Sequence, residues 1–262
     1  MISACAEDRR LFQILKPASA ERSTDGPESS VASLCMARSV RTETLANQVL
    51  ENVTERLQES RLKADEIPPS LGTLSAMKKI YAISKILDHI PYTLLYVSSG
   101  WMASKKDTET SLEHLTRRLQ SDPQKSRRTL TYAAQVFRRV RNQRWLEAFD
   151  PLYLLLTTLY IWYYGRAFDS STSSNSSMWP PVKVDDEALD ETIRTQWVST
   201  GSNRRPHIAG IGFLYGGNNG YRVLKEAVRI LYNGQGWQPF AHAVGRSLQQ
   251  VLSGFAPSFK DA

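Results

Sequence analysis

Residues that hold a fold together through covalent or metal bonds are rare in this sequence. Its 262 residues include only two cysteines, Cys5 and Cys35, and four histidines. A structural zinc site needs about four Cys or His ligands at short spacings. Two cysteines in a chain of this size with no other cross-links are typical of a protein from a reducing compartment. We therefore expect neither a zinc finger nor a disulfide-bonded secreted fold.

The chain also lacks the common arrangements of catalytic residues. None of its histidines, His89, His114, His207 and His242, stands four residues from another, as two metal ligands on one helix face would. A Gly-x-Ser-x-Gly pentapeptide is missing. Both cysteines lie in a segment without helical periodicity, whereas a reactive thiolate needs a rigid neighbourhood. We predict no enzyme activity, no catalytic residue, no metal site and no cofactor in this chain.

A long hydrophobic run is missing as well. The most apolar segment, Leu152 to Tyr164, has 13 residues, and a bilayer span needs about 20. A helix that is apolar on every side but too short to span is most simply the buried centre of a bundle. Asp150 and Pro151 just before it are suited to cap and start that helix. No membrane span is predicted.

Alternating β-branched runs are absent, and helical periodicity dominates. Ala76, Ile80, Ile83, Leu87 and Ile90 follow the spacing of one helical face, and Pro91 ends that helix. Such patterns predict an all-α fold, an irregular bundle of about seven to nine helices around a central apolar helix at about 151–167. The predicted core residues are Leu155, Leu159, Trp162, Phe137 and Trp101.

The domain boundaries follow from composition. Residues 1–40 are poor in periodic apolar residues and are predicted to be mostly disordered. Residues 41–262 are predicted to form one helical regulatory domain, which begins with a stripe of aliphatic residues from Leu45 to Leu57. Inside it, positions 169–178 are rich in serine and offer no apolar anchor, so they are expected to form a flexible surface insert.

Positive charge is concentrated in one stretch. The formal net charge of the chain is +7. Residues 72–150 contain fourteen basic and seven acidic side chains, so this segment carries the same net charge of +7. Three interpretations of its arginines stay open. They lie on a solvated helix face, they contact DNA phosphates, or, where they fall near the apolar side, they pair with buried acids. No zinc finger or helix-turn-helix frames them, so sequence-specific reading of DNA is not predicted. The candidates for DNA contact are Arg127, Arg128, Arg138 and Arg139.

Two further clusters resemble ligand sites only loosely. The acids Asp185, Asp186, Glu187, Asp190 and Glu191 are similar to the magnesium-pyrophosphate aspartates of all-α isoprenoid enzymes, but no second cluster accompanies them. They are more simply interpreted as capping a helix N-terminus. The glycines between 210 and 220 follow a poor strand and lack a P-loop lysine-serine pair, so a turn before a helix is predicted there.

Five segments, taken together and in order, resemble the fungal-specific transcription factor domain, in particular its C-terminal half as found in zinc-finger regulators. The first is a helix-Pro-helix ending in Gly-Trp, the second an Ala-rich helix with a basic end, and the third a buried helix ending in Trp and Tyr. The last two precede a closing helix pair, and the resemblance covers about 75–255. The segments are Ile86 to Trp101, Arg128 to Arg141, Pro151 to Gly165, Leu189 to Gly201 and Arg205 to Gly212.

The resemblance implies a non-catalytic regulatory and interaction domain of a nuclear protein that controls transcription by RNA polymerase II. Transcriptional co-regulators, a small effector or self-association are the implied contacts. The family's zinc-binding DNA reader lies upstream and has no match in this chain, so zinc and DNA are expected only through that module. Two alternatives stay open: an all-α magnesium-dependent isoprenoid-type enzyme, and a membrane-peripheral helical protein.

Overall fold

The computed structural model describes residues 71–101, 103–169, 179–186, 191–201, 204–215 and 219–254. Helices dominate this part of the chain, which confirms the predicted all-α class. The eight helices described are α1 (Leu71–His89), α2 (Tyr92–Ser98), α3 (Lys105–Ser121), α4 (Pro123–Asn142), α5 (Asp150–Asp169), α6 (Glu191–Thr200), α7 (Asn219–Asn233) and α8 (Gln238–Gly254).

Helix α5 is the centre of the bundle, as its apolar composition predicts. It packs against α1, α2, α3, α4, α7 and α8. Its Leu155, Leu159 and Trp162 are buried, and so is Phe137 on the facing side of α4. Because neighbouring helices cover α5 on every side, a polar face on this helix would not contact solvent.

Three short strands, which no alternating run in the sequence indicates, form a small sheet beside the helices. β1 (Pro181–Lys183) pairs in parallel with β2 (Arg205–Ile208), and β2 pairs in antiparallel fashion with β3 (Gly212–Phe213). Strands of two to four residues are too short to show an alternation of polar and apolar residues. The segment from Ile208 to Phe213, interpreted from sequence as a poor strand, contains the last residue of β2, the turn and β3.

Trp101 is the one predicted core residue that the structure contradicts. Its side chain is 36% exposed. It lies in the turn after α2, where its ring meets Tyr96 edge-on at a centroid distance of 5.3 Å. A residue that follows a helix end rather than facing the core from within a helix has only one side covered, so Trp101 forms the rim of the bundle.

Some predictions concern residues outside the described part. The segment 1–40, the aliphatic stripe from Leu45 to Leu57 and positions 170–178 of the serine-rich stretch are among them. None of the helices in the described ranges combines the length and the apolar character that crossing a membrane requires.

The last residue of α1, His89, is buried among polar groups. Its Nδ1 lies 3.0 Å from the hydroxyl of Tyr160 on α5. Its carbonyl accepts a hydrogen bond from Arg118 Nε at 2.6 Å. Burial, followed by the positive charges of Lys125 and Arg118, lowers the pKa of His89 to about 4. The imidazole is therefore neutral in the folded protein over the physiological range.

This shift predicts an acid-sensitive stability. Above pH 6.5 His89 is neutral in both states, but below it the unfolded chain takes up the proton first, so stability falls as the pH drops from about 6.5 to about 4. Between pH 7 and 5.5 the loss should be about 1 kcal/mol. Urea unfolding at both pH values measures it. His89→Gln should lose less unfolding free energy between the two pH values than wild type does, whereas the exposed control His114→Gln should behave as wild type. Equal losses in all three proteins would contradict the assignment of this pH dependence to His89.

The central position of α5 predicts a second outcome. Leu155→Asp places a carboxylate where the side chain is 5% exposed, and we expect it to cost about 3 kcal/mol or more and to unfold much of the helix bundle. Circular dichroism on heating provides the measurement. Ser253→Asp, at an exposed position of α8, is the matched control and should melt as wild type. A Leu155→Asp protein with unchanged helicity and melting would show that α5 is not the core.

Candidate functional site

Four exposed aromatic side chains, three on two adjoining loops and one in the first turn of α8, form what we call the aromatic surface. Trp145 and Phe149 belong to the loop between α4 and α5, and they are 64% and 63% exposed. Trp237 ends the loop between α7 and α8 and is 59% exposed, and Phe240 in the first turn of α8 is 39% exposed. Large aromatic rings are costly to leave in water, so such a group indicates a contact surface.

Backbone hydrogen bonds join the two loops. The Leu146 N–H donates to the carbonyl of Gln235 at 2.7 Å, and the Gln235 N–H donates to the carbonyl of Arg144 at 3.4 Å. These bonds form a parallel bridge between Trp145 and Gln235. Because successive side chains of an extended segment point to opposite sides, the buried Leu146 turns inward and Trp145 turns outward.

Gly236 allows the loops to approach this closely. A Cβ atom at this position would stand 2.8 Å from the carbonyl oxygen of Leu146, and the backbone has φ +87°, which other residues rarely adopt. The next residue, Trp237, has φ +49° despite its large side chain. Strain of this kind costs on the order of 1 kcal/mol. An exposed tryptophan in a strained conformation adds little to folding stability, which favours a role in binding.

A buried ion pair anchors the loop that carries Trp145 and Phe149. Lys79 of α1 donates from Nζ to Asp150 Oδ1 at 2.7 Å and to Glu147 Oε2 at 2.8 Å. The side chains of Lys79 and Asp150 are fully buried, whereas that of Glu147 is half exposed. Asp150 Oδ2 also accepts the Glu147 N–H at 2.8 Å. α5 begins at Asp150 as predicted, but the carboxylate binds this loop and Lys79 instead of the capping role expected from sequence.

Two of the arginines predicted as candidates for DNA contact are engaged inside the protein instead. Arg127 donates from Nε to the carbonyl of Val198 at 2.8 Å and from Nη2 to that of Ser199 at 3.1 Å, at the end of α6. Arg138 Nη1 donates to the carbonyl of Asp185 at 3.2 Å. These side chains fasten α6 and the loop after β1 to α4, so Arg127 and Arg138 have structural roles in the domain.

The other basic residues of α4 divide in the same way. Arg141 donates to the carbonyl of Ala209 in the turn between β2 and β3, which explains how an arginine close to the apolar side is accommodated. Arg139 is partly buried. Arg128 is exposed and lines a groove between α1 and α4. Of the four candidates, Arg128 is the one whose position suits contact with an external anion.

The described part of the acidic cluster divides between the predicted helix N-terminus and structural contacts: Glu191 stands in the first turn of α6, whereas Asp185 and Asp186 bind other segments. Asp185 is fully buried, and its carboxylate accepts the Ala209 N–H at 3.2 Å. Asp186 Oδ1 lies 3.5 Å from Arg138 Nη1, and its carbonyl accepts a hydrogen bond from Arg194 at 2.7 Å. Both precede α6, which begins at Glu191, and positions 187–190 lie outside the described residues. Among the described side chains, no group of three His, Cys, Asp or Glu residues is arranged to hold a metal ion.

The aromatic surface is absent from the sequence-based predictions, although a signal for it exists. Trp145 stands just beyond the apolar stripe of α4, and Trp237 follows the turn-forming residues Asn233 to Gly236. Aromatic residues at two predicted helix junctions indicate exposure when no stripe includes them. That the two junctions touch depends on the packing of α4, α5, α7 and α8, which periodicity alone does not reveal.

Comparisons with known proteins leave the site as the main basis for assigning a function. No protein-family model matches the chain, and neither a curated protein nor a solved structure matches it.

The buried ion pair predicts that its lysine contributes more to stability than its half-exposed acid, Glu147. Lys79→Met removes the cation and leaves Asp150 buried without its partner, which should cost about 3–5 kcal/mol of unfolding free energy. Glu147→Gln changes a half-exposed side chain and should cost less than about 1 kcal/mol. Denaturant unfolding of the three proteins compares them directly. If Lys79→Met were as stable as Glu147→Gln, the Lys79–Asp150 pair could not be what holds the loop.

Proposed function

We propose that this chain is a non-catalytic regulatory and interaction domain that binds a partner protein through the aromatic surface. The observation that carries the proposal is the exposure of Trp145, Phe149, Trp237 and Phe240 on or next to two loops that backbone hydrogen bonds join. Tryptophan and other aromatic residues dominate the binding energy of protein interfaces when they enter a pocket of the partner. A pre-formed surface also loses little conformational entropy on binding.

The size of the surface favours a transient partner over a stable pair of identical chains. The four side chains together expose about 500 Å², since a large aromatic residue has about 150–250 Å² to bury. A stable interface takes about 800 Å² from each partner. The exposed Arg144 beside Trp145 adds a positive charge, so the partner segment should combine apolar side chains with an acidic residue.

The resemblance to the fungal-specific transcription factor domain gives this proposal its cellular setting. Three of the resembling segments correspond to α1 with α2, to α4 and to α5, which form the helical core. In this setting the protein acts in the nucleus, and its partners are co-regulators of transcription by RNA polymerase II. DNA contact then depends on a separate zinc-binding module, because Arg127 and Arg138 are used within the domain.

The magnesium-dependent enzyme alternative is less well supported. Its metal ligands would have to include Asp185 and Asp186, yet Asp185 is buried against the Ala209 N–H and Asp186 lies beside Arg138. The membrane-peripheral alternative uses the same aromatic residues as the interaction proposal and is separated from it by experiment.

A reporter assay tests the proposal. Fused to an unrelated DNA-binding domain, the 262-residue chain should change transcription of a reporter gene. The double variant Trp145→Ser/Trp237→Gly should lose most of this effect, because it removes both tryptophans while glycine accepts the backbone conformation of position 237. Tyr92→Ser removes an aromatic side chain of α2 that is 48% exposed, and this control should act as wild type.

The outcomes separate the alternatives. An inactive wild-type fusion would contradict the regulatory role, and an active double variant would contradict the role of the aromatic surface. Sedimentation of the purified chain with anionic vesicles, lost in the double variant, would favour a membrane-peripheral protein. A stable dimer in analytical ultracentrifugation that the double variant abolishes would make self-association the use of this surface.

A further inference from the structure

A groove between α1 and α4, on side chains that the proposed function does not use, has the size of a small-molecule site. Its volume is about 370 Å³, and ligand pockets occupy about 300–1,000 Å³. It opens at the first turns of α4, where the positive end of the helix dipole favours negative charge. The lining side chains used below are Tyr81, Lys85, Asp88, Lys125, Arg128 and Tyr132.

The charges in the groove are only partly neutralised. Lys125 Nζ lies 3.0 Å from Asp88 Oδ2, which compensates its charge. The second acid, Asp122, accepts the Lys125 N–H at 2.8 Å and caps the start of α4. Within the described ranges, neither Lys85 nor Arg128 has a carboxylate at ion-pair distance. Two cations from facing helices therefore remain available at the same opening.

Aromatic rings supply the apolar part of the wall. Tyr81 and Tyr132 meet edge-to-face, with centroids 5.9 Å apart and planes at 89°. Lys85 Nζ lies 5.3 Å from the centroid of the Tyr81 ring, which holds this ammonium group at the wall. Burial, followed by the neighbouring Tyr81, raises the pKa of Tyr132 above its usual range, so its hydroxyl stays neutral. The groove thus combines planar apolar surface with two cations that have no carboxylate at ion-pair distance, and its three cations outnumber its two acids, Asp88 and Asp122, by one.

We propose that this groove binds a small aromatic phosphate, with Lys85 and Arg128 holding the phosphate and Tyr81 and Tyr132 contacting the ring. A groove with a net positive charge and two cations outside ion pairs favours a phosphate monoester, whose charge near neutral pH is about −1.5 to −2. Arg128 presents the planar fork of donors suited to phosphate oxygens. This binding is independent of the aromatic surface, and it gives the domain a route by which a metabolite regulates it.

Calorimetric titration of the full chain tests the proposal with three probes. Phenyl phosphate should bind saturably, and inorganic phosphate and phenol should each bind at least about tenfold more weakly, because each lacks one half of the recognised chemistry. Lys85→Ala and Arg128→Ala should each weaken phenyl phosphate about tenfold or more. Lys105→Ala on α3, whose side chain is 91% exposed, should leave the affinity unchanged. All three substitutions are outside the buried core, so melting temperatures should not change.

Several results would overturn the proposal. Phenyl phosphate failing to bind at millimolar concentration is one, and equal affinity in wild type and Arg128→Ala is another. A third is binding of random duplex DNA that Arg128→Ala abolishes and that falls steeply with salt, while phenyl phosphate stays unbound. That third result would assign the groove to nucleic-acid contact.

Discussion

Burial of α5 on every side is the constraint on which the rest of the fold depends. A helix rich in leucine and tyrosine all round has no polar face suited to water, so its neighbours must enclose it. Six other helices pack against it in the described part of the chain. The loops between these helices then gather at the ends of α5, and the aromatic surface lies at the end where α5 begins.

The buried pair of Lys79 and Asp150 connects this core to that surface. Taking both charges out of water is unfavourable unless each finds its partner, and the partners here come from α1 and the first residue of α5. The loop between α4 and α5 is held by the same two residues through Glu147. The aromatic side chains are therefore presented by a loop whose position is set by the core, which suits recognition of one partner geometry.

Much of the fold could be predicted from sequence because it depends on periodic burial. α1 and α4 show one apolar face each, and α5 is apolar throughout, so these helices and the core residues Leu155, Leu159, Trp162 and Phe137 follow from local patterns. The three strands could not be predicted from such patterns because they contain at most four residues. The exposure of Trp101 and of the aromatic surface could not be predicted either, because exposure in loops depends on which segments meet. The pairing of Trp145 with Gln235, for example, is set by tertiary packing.

Arg127, Arg138 and Arg141 share one feature: each donates to a backbone carbonyl of a distant segment. Such bonds persist whatever side chain the bound residue carries, so Val198, Ser199 and Ala209 are free to change during evolution as far as these contacts are concerned. The restriction falls on Gly201, where a Cβ atom would stand 2.5 Å from Arg127 Nη1 and the backbone has φ +66°. Diverged relatives should therefore keep Arg127 and Gly201 together while the other residues between α6 and β3 vary. A search for conserved contacts between acidic and basic side chains would overlook this pair.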